Sequence, residues 1–280
     1  MPRKTCTPLQ NLRRIADMAN VCMVNISKRV VSVVLLSFWL SSANAQHIEA
    51  GDIEPFDVVY EVGNLLLTAG TAQLSLSREA DLWTYRLDTK PRGILKLAGK
   101  GLINEMSTMR FVPIDGKLQL QPQSYMYTQD KERRRAVAAT FNWDKKQITH
   151  KYRGEEITEA LEGPIVDRLS ATLLMMNALR RDFDSTVLQV FDTGRIKNVS
   201  FVNAGEETLD TPLGPIETIR VINRNADGGS RQTSTWFAPS LDFVPVKIEH
   251  RKRGELVARL TLLELNNRVT NIELESAENQ

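Results

Sequence analysis

Short stretches in which apolar and polar residues alternate dominate the chain from residue 56 onward. In the first stretch Phe56, Val58 and Tyr60 fall on one side of the backbone, and Asp57 and Glu61 fall on the other. This period of two is typical of a half-buried β-strand. The same pattern, or a short apolar run, recurs at 72–77, 83–88, 118–120, 125–127, 136–143, 148–152, 188–191, 199–202, 218–222, 244–250 and 256–265.

Turn-forming residues separate these stretches. The turn signals are Gly63-Asn64, Asp115-Gly116, Asp144-Lys145-Lys146, Asp192-Thr193-Gly194, Asp227-Gly228-Gly229 and Arg253-Gly254. Many short strands joined by tight turns favour an antiparallel sheet that curls or closes. The prediction is therefore a mostly β fold, a highly twisted, curved antiparallel sheet or half-open barrel.

One segment has helical instead of strand periodicity. Asp167 is a good N-cap, and Arg168 to Arg181 reads as a helix with Leu169, Leu173, Met176 and Leu179 on one stripe. Apolar residues fill much of the remaining circumference, so this helix is expected to be buried across the concave face of the sheet. Ser170 falls at position N3, where it can complete the cap.

The N-terminus has the pattern of a signal peptide. Lys28-Arg29 precedes the apolar run 30–40, which ends at the small-residue site Ala43-x-Ala45. We expect residues 1–45, with an extended n-region, to be removed after Ala45 on export to the periplasm. The mature chain would then comprise a tail at 46–54, a single β-rich domain at 55–265 and a polar C-terminal tail at 266–280.

Removal of this segment changes the composition. Both cysteines, Cys6 and Cys22, are lost with it, which excludes thiol catalysis and cysteine-ligated metals in the mature chain. The full chain has 36 basic and 34 acidic residues, and residues 1–45 hold six of the basic and one of the acidic ones. The remainder has 30 basic and 33 acidic residues, so nucleic acid is not an expected partner.

The catalytic signals are weak. No G-x-S-x-G motif or H-E-x-x-H motif occurs, and only His47, His150 and His250 could serve as imidazole bases. His150 and His250 could form a paired site on one side of the sheet, or simply pack there as strand residues. A run of carboxylates could supply the acid and base of a glycosidase, or could form a solvated face. Its members are Glu155, Glu156, Glu159 and Glu162. We predict no catalytic residue, no metal and no cofactor.

Binding residues are easier to nominate. Apolar and aromatic side chains of the helix and strands would form a core, or a ligand pocket if the sheet leaves space beside the helix. The basic groups Arg133–Arg135 and Arg251–Arg253 could hold anionic headgroups or protect hairpin tips. The expected ligand-binding residues are Leu169, Leu173, Met176, Tyr125, Tyr127, Trp143, Trp236, Arg133, Arg134 and Arg135.

Several short motifs resemble the exported bacterial family of domain of unknown function 3108. They are Pro55–Tyr60, Phe141-Asn142-Trp143, Asp167-Arg168-Leu169-Ser170, Thr211–Ile216, Trp236–Pro239 and Val244–Ile248. The resemblance implies a twisted, barrel-like antiparallel sheet. The closing strand after Trp236 also looks like that of periplasmic lipoprotein carriers, which cradle acyl chains against a helix.

These observations favour a non-catalytic periplasmic carrier of an apolar envelope ligand, a lipid or a lipoprotein acyl chain, with peripheral membrane contact. One alternative is an assembly module that docks another envelope protein through a sheet edge. The other is a hydrolase acting on envelope polysaccharide or ester.

Overall fold

β-Strands account for most of the chain that the structure, a computed structural model, describes. The described residues are 53–64, 67–93, 101–115, 117–130 and 132–267. The predicted signal peptide, most of the predicted N-terminal tail and residues 268–280 lie outside them.

The described part contains one long series of strands interrupted by the predicted helix. The strands are β1 (Phe56–Gly63), β2 (Thr68–Glu79), β3 (Leu82–Pro91), β4 (Ile103–Ile114), β5 (Lys117–Gln129), β6 (Val137–Asn142), β7 (Gln147–Tyr152), β8 (Glu155–Ala160), β9 (Ile165–Asp167), β10 (Ser185–Phe191), β11 (Ile196–Thr211), β12 (Gly214–Asn225), β13 (Arg231–Ala238), β14 (Val244–Lys252) and β15 (Glu255–Asn267). Helix α1 spans Arg168–Ala178, and 3₁₀ turns occupy Arg133–Arg135, Leu179–Arg181 and Pro239–Leu241.

All fifteen strands belong to one sheet. Their order is β8-β7-β6-β5-β4-β3-β2-β1-β15-β14-β13-β12-β11-β10-β9. Neighbouring strands are antiparallel except β9 and β10, which are parallel, and β1 pairs with β15, so the first and last strands are neighbours. The end strands β8 and β9 do not pair, so the sheet is curved but not closed. This confirms the predicted fold class.

The two ends of the sheet overlap. On β10, Val190 belongs to the main core inside the sheet, whereas its neighbour Phe191 points the other way and packs with Tyr125, Phe141 and His150 of β5–β7. The inner side of β5–β7 therefore covers the outer side of β9–β10. We call this rolled sheet the scroll. It has one core inside the roll and a second, smaller one between its overlapping ends.

Helix α1 lies inside the scroll. Leu169, Leu173 and Met176 are buried together with Phe56 and Tyr60 of β1 in the main core. Within α1 only Arg168 and Thr172, one turn apart, retain substantial exposure. A helix with so much apolar surface can leave water only by being wrapped on several sides, and the curved sheet does this.

The strand prediction missed four elements, and the turn signals within the described residues all fall between strands. No strand was predicted for β4, β8, β9 or β13, and β15 continues two residues into the predicted C-terminal tail. On β4 the inward positions include Glu105 and Ser107, which are both buried. Because polar side chains occupy these core positions, the usual alternation is hidden in the sequence.

Candidate functional site at the N-terminus of helix α1

The N-terminus of α1 is held by a buried carboxylate. The Asp167 side chain accepts hydrogen bonds from the backbone N–H groups of Leu169 and Ser170, at 2.9 and 3.0 Å. Ser170 completes a capping box, because its hydroxyl accepts from the Asp167 N–H at 2.8 Å. Ser107 of β4 donates to the same carboxylate at 2.5 Å. The predicted cap is confirmed, and it also joins helix to sheet.

Burial sets the charge behaviour of Asp167. Loss of solvation raises its pKa to about 6, although hydrogen bonds from Ser107, Ser170 and Leu169 lower it. Four polar contacts therefore compensate only part of the cost of burying this carboxylate.

An ion pair between a buried carboxylate and a partly exposed guanidinium lies beside the cap. Arg168 Nε donates to Glu105 Oε1 at 3.0 Å, and Arg168 Nη2 donates to the other oxygen of the same carboxylate. Tyr125 OH also donates to Glu105 Oε1, at 2.8 Å, and the guanidinium lies 5.9 Å from the Tyr127 ring centre. Glu105 is thus fully engaged by β5 and α1.

A second acidic group links this pair to the β10–β11 turn. Asp192 Oδ1 lies 4.0 Å from Arg168 Nη1, and Asp192 Oδ2 accepts from Lys197 Nζ at 2.6 Å. Burial alone would raise the pKa of Asp192, but the positive charges of Arg168 and Lys197 outweigh it and the pKa is lowered. The polar cluster therefore joins β4, β5, α1 and β10, the elements that meet where the ends of the scroll overlap.

The inward-facing side chains are not fully buried at this end of the scroll. Val62, Leu87 and Ile248 point inward and contact the main core but are only half-buried, and Ile103 on the strand of Glu105 is also half-buried. We call the end at which α1 begins the Arg168 end. Its inner wall is partly open to solvent, with the side chain of Arg168 47% exposed.

His250 lies on the same inner side, at the far end of β14. It stays exposed, yet its pKa is lowered, first by desolvation and then by the positive charge of Arg168. At the other end of the helix, Arg180 donates to the Asp242 carbonyl just before β14 begins. Since Asp242 lies beside the C-terminal end of α1, His250 at the other end of β14 belongs to the Arg168 end.

Most predicted apolar ligand residues lie in the packed cores. Leu169, Leu173, Met176 and Trp236 belong to the main core, and Tyr125 belongs to the smaller one. The Trp236 indole donates to Glu207 Oε2 at 2.8 Å and carries Lys247 Nζ 4.2 Å from a ring centre. In this structure these side chains contact other protein atoms, and a ligand would reach them only after the core had opened.

The other predicted ligand residues are more accessible. Tyr127 is half-buried below Arg168, and Trp143 stacks on Phe141 and donates to the Pro122 carbonyl at 2.7 Å. Arg133, Arg134 and Arg135 form an exposed 3₁₀ turn directly after β5. The charge of Arg135 acts on Tyr127, so this basic turn lies near the Arg168 end.

The histidines and the carboxylate run have separate positions. His150 Nε2 lies 3.1 Å from Glu159 Oε1, whereas His250 Nδ1 lies 3.0 Å from Thr233 Oγ1. The two rings therefore have different hydrogen-bond partners. Glu155, Glu156 and Glu159 lie on β8, which is exposed or half-buried along its whole length.

Two further features bear on the predicted functions. Among the described residues, no group of three or more histidine, cysteine or carboxylate residues could hold a metal ion, and no helix there is long and apolar enough to cross a membrane. A surface pocket of about 220 Å³ is lined by polar residues of β1, β2 and β15 and their turn. Its polar lining differs from the apolar lining predicted for the ligand site.

Sequence reasoning overlooked the central residues of the polar cluster. Glu105, Ser107, Asp192 and Lys197 were not nominated. One signal for them is present in the sequence. Glu105, Ser107 and Met109 follow one another at every second position. The spacing puts all three on one side of a strand, but only the fold shows that this side faces inward.

The family assignment rests on the sequence itself. A family model described as protein of unknown function (DUF3108) matches residues 56–261. The chain belongs to this family. The match covers β1 to β14, the first half of β15 and the whole of α1, and it confirms the resemblance seen in the short motifs. No curated protein matches the chain significantly.

A solved structure supports the fold. A β-barrel-like protein of the DUF1849 family from Brucella abortus matches with a TM-score of 0.53 and 10% identity, covering 76% of this chain and 98% of that one. A candidate lipoprotein from Parabacteroides distasonis matches with a TM-score of 0.29 and 11% identity, covering 77% and 96%. A candidate exported protein with a YmcC-like fold from Bacteroides fragilis matches with a TM-score of 0.31 and 10% identity, covering 79% of this chain and 100% of that one. Only the first comparison is close enough to describe a shared fold.

Proposed function

We propose that this protein is a non-catalytic periplasmic binding protein whose ligand has an apolar chain and an anionic head. The apolar chain of the ligand would lie against the inner wall at the Arg168 end. Its anionic head would lie at the two basic turns of that end, Arg133–Arg135 and Arg251–Arg253, which we call the basic rim. The observation that carries this proposal is the half-burial of Val62, Leu87, Ile103 and Ile248, which face the inside of the scroll. The predicted signal peptide supports the periplasmic location.

The inner wall offers surface that an apolar ligand could cover. Each CH₂ group removed from water stabilises the bound state by about 0.8 kcal/mol. Leu87 and Ile248 already contact the core, so a chain placed over them would extend packing that exists. Tyr127 and Thr172, both half-buried, supply polar atoms near the same place.

The positive charge for the head would come from the rim rather than from Arg168. Arg168 is already neutralised by Glu105. Arg135 and Arg251 are likewise paired, with Glu132 and Glu249. By contrast, Arg133 and Arg134 are exposed beside Tyr127, and the exposed Lys252 and Arg253 follow His250 at the end of β14. Two basic turns at one end could attract an anionic headgroup from a lipid or a lipoprotein.

The wall is tested by a matched pair of substitutions on β4. Protein refolded free of lipid would be titrated with a fluorescent fatty acid. Ile103→Glu places a charge on the inner wall, whereas Asn104→Glu places it on the opposite side of the same strand, and both positions are half-buried. We expect Ile103→Glu to weaken binding at least about tenfold, equivalent to 1.4 kcal/mol, and Asn104→Glu to have little effect.

The rim is tested separately with an anionic and a neutral probe of equal chain length. Substitution of Arg133, Arg134 and Arg135 by Glu should weaken binding of the anionic probe more than binding of the neutral probe. Reversal of Arg78 and Arg110, at the other end of the scroll, is the control. Equal losses for both probes would remove the rim from the proposal, and absence of fatty-acid binding to the unaltered protein would overturn the proposed function.

A further inference from the structure

Strand β8 is an open edge of the sheet. It stands at one end of the strand order and pairs only with β7 among the described residues. Five of its six residues are exposed and Glu159 is half-buried. One row of its backbone N–H and C=O groups is thus available to another strand.

The opposite end of the sheet is closed to such pairing. Strand β9 has only three residues, Ile165, Val166 and Asp167, and all three are buried. It leads directly into α1 and lies beneath the overlapping strands. The two ends of the scroll therefore differ, and only β8 offers a strand-length edge.

The side chains of β8 alternate in a specific way. Glu155, Ile157 and Glu159 share one side of the strand, the side on which His150 of β7 lies. Ile157 is 45% exposed between the two glutamates. An extended segment pairing with this edge would meet acid, apolar and acid groups at every second residue.

The glutamates of this segment are largely free of ion pairs, although Lys151 of β7 lies opposite Glu156 in the strand pairing. In the part of the chain that the structure describes, no ion pair engages Glu155, Glu156 or Glu162, and Glu159 contacts only His150. Two copies of β8 placed side by side would bring these carboxylates together, which disfavours self-association through this edge. A cationic segment would instead be attracted.

We propose that β8 binds an extended basic segment of another protein by strand addition. The segment would carry Lys or Arg, then an apolar residue, then Lys or Arg, at alternate positions. Backbone hydrogen bonds would supply affinity, and the charges and the Ile157 contact would supply selectivity. This proposal concerns the outer edge of the sheet and not its inner wall, although Glu155 lies in the same cross-strand row as Tyr127. It does not depend on the ligand proposed for the inner wall.

The first experiment measures peptide binding to the mature protein. A fluorescent peptide alternating Thr with Lys, Val and Lys is compared with a scrambled peptide of identical composition and with its Glu counterpart. We expect the alternating peptide to bind at least about tenfold more tightly than either, with affinity falling as salt rises. Equal binding of the scrambled peptide would overturn strand addition, because charge alone would then suffice.

The second experiment removes backbone donors from the edge. Adjacent N–H groups of a strand point to opposite sides. Of the variants Ile157→Pro and Thr158→Pro, one therefore loses a hydrogen bond to β7 and the other loses a donor on the free edge. Urea unfolding identifies the variant that leaves stability unchanged. That variant should still lose peptide binding, and full retention of binding in it would overturn the proposal.

The third experiment tests charge. Glu155→Lys with Glu156→Lys should abolish binding of the basic peptide, whereas the exposed pair Glu206→Lys with Glu217→Lys on β11 and β12 serves as control. None of these variants should change binding of the neutral probe, because its chain lies on the inner wall and it has no charged head. Failure of the unaltered protein to bind the alternating peptide would also overturn the proposal.

Discussion

Glu105 of β4 and Arg168 of α1 form a two-point ion pair inside the scroll. Arg168 donates to both carboxylate oxygens, and Tyr125 donates to one of them. The two partners differ in exposure, with the side chain of Glu105 at 3% and that of Arg168 at 47%. Each partner therefore depends on the other to a different degree.

This difference predicts unequal costs for breaking the pair. Arg168→Met would leave a buried carboxylate with only the Tyr125 hydroxyl, and we expect a loss of about 2–4 kcal/mol. Glu105→Gln leaves a guanidinium that water can reach and an amide oxygen that still accepts, so the loss should be about 1 kcal/mol. Urea unfolding of both variants and the double variant measures the costs and their coupling. Equal costs or additive effects would contradict this account.

Asp167→Asn should alter the pH dependence of stability. The folded-state pKa of Asp167 is raised to about 6 from 3.8, so protonation favours the folded state. The contribution is fully present below pH 3.8 and is lost as pH rises through 6, by about 3 kcal/mol at most.

Asparagine can keep the N-cap and accept from or donate to the same partners, but it does not titrate. The stability of the Asp167→Asn variant relative to the unaltered protein should therefore rise between pH 4 and pH 7, as measured by urea unfolding. Asp210→Asn, an exposed position on β11, is the control. A constant difference across this range would show that Asp167 does not titrate there.

Leu173→Ala should destabilise the protein strongly. Leu173 is fully buried at the centre of α1, and truncation of such a leucine costs about 2–5 kcal/mol. Thr172→Ala, at the half-buried neighbouring position, should change the unfolding free energy by no more than about 0.5 kcal/mol. Similar small losses for both variants would mean that α1 is not enclosed by the sheet.

Gly194→Ala tests the overlap of the scroll ends. Gly194 has φ +73°, and a Cβ there would lie 2.7 Å from Tyr152 Cβ on β7. Gly228, with φ +96° and no atom within 4 Å of such a Cβ, is the control for backbone strain alone. Both alanine variants should lose about 1–2 kcal/mol from the backbone, and Gly194→Ala should lose more.

A second variant identifies the cause of this additional loss. If it comes from the contact with Tyr152, Tyr152→Gly, which removes the Cβ as well as the ring, should reduce the cost of Gly194→Ala when the two are combined. An unchanged cost would indicate that the β10–β11 turn does not pack on β7. Thermal or urea unfolding is sufficient for all four proteins.

Local patterns were a good guide wherever one side of an element is apolar. Alternation in β1 and the stripe through Leu169 and Leu173 predicted strand and helix, because burial of one side imposes a fixed period. The Asp167 cap was predictable because capping involves only residues two or three apart. The candidate site was less accessible, since Glu105 breaks the very alternation that identifies a strand.

The sequence by itself determined most of the strands, the turns and the helix, because hydrophobic periodicity and turn chemistry act between residues close along the chain. Only the tertiary structure decided that Phe191 and Val190 serve two different cores and that Glu105 meets Arg168, 63 residues away. The curvature of the sheet brings these groups together, and it arises from the summed twist and bulges of many strands. No local pattern records that sum, so the rolled ends and the open edge became visible only in the fold.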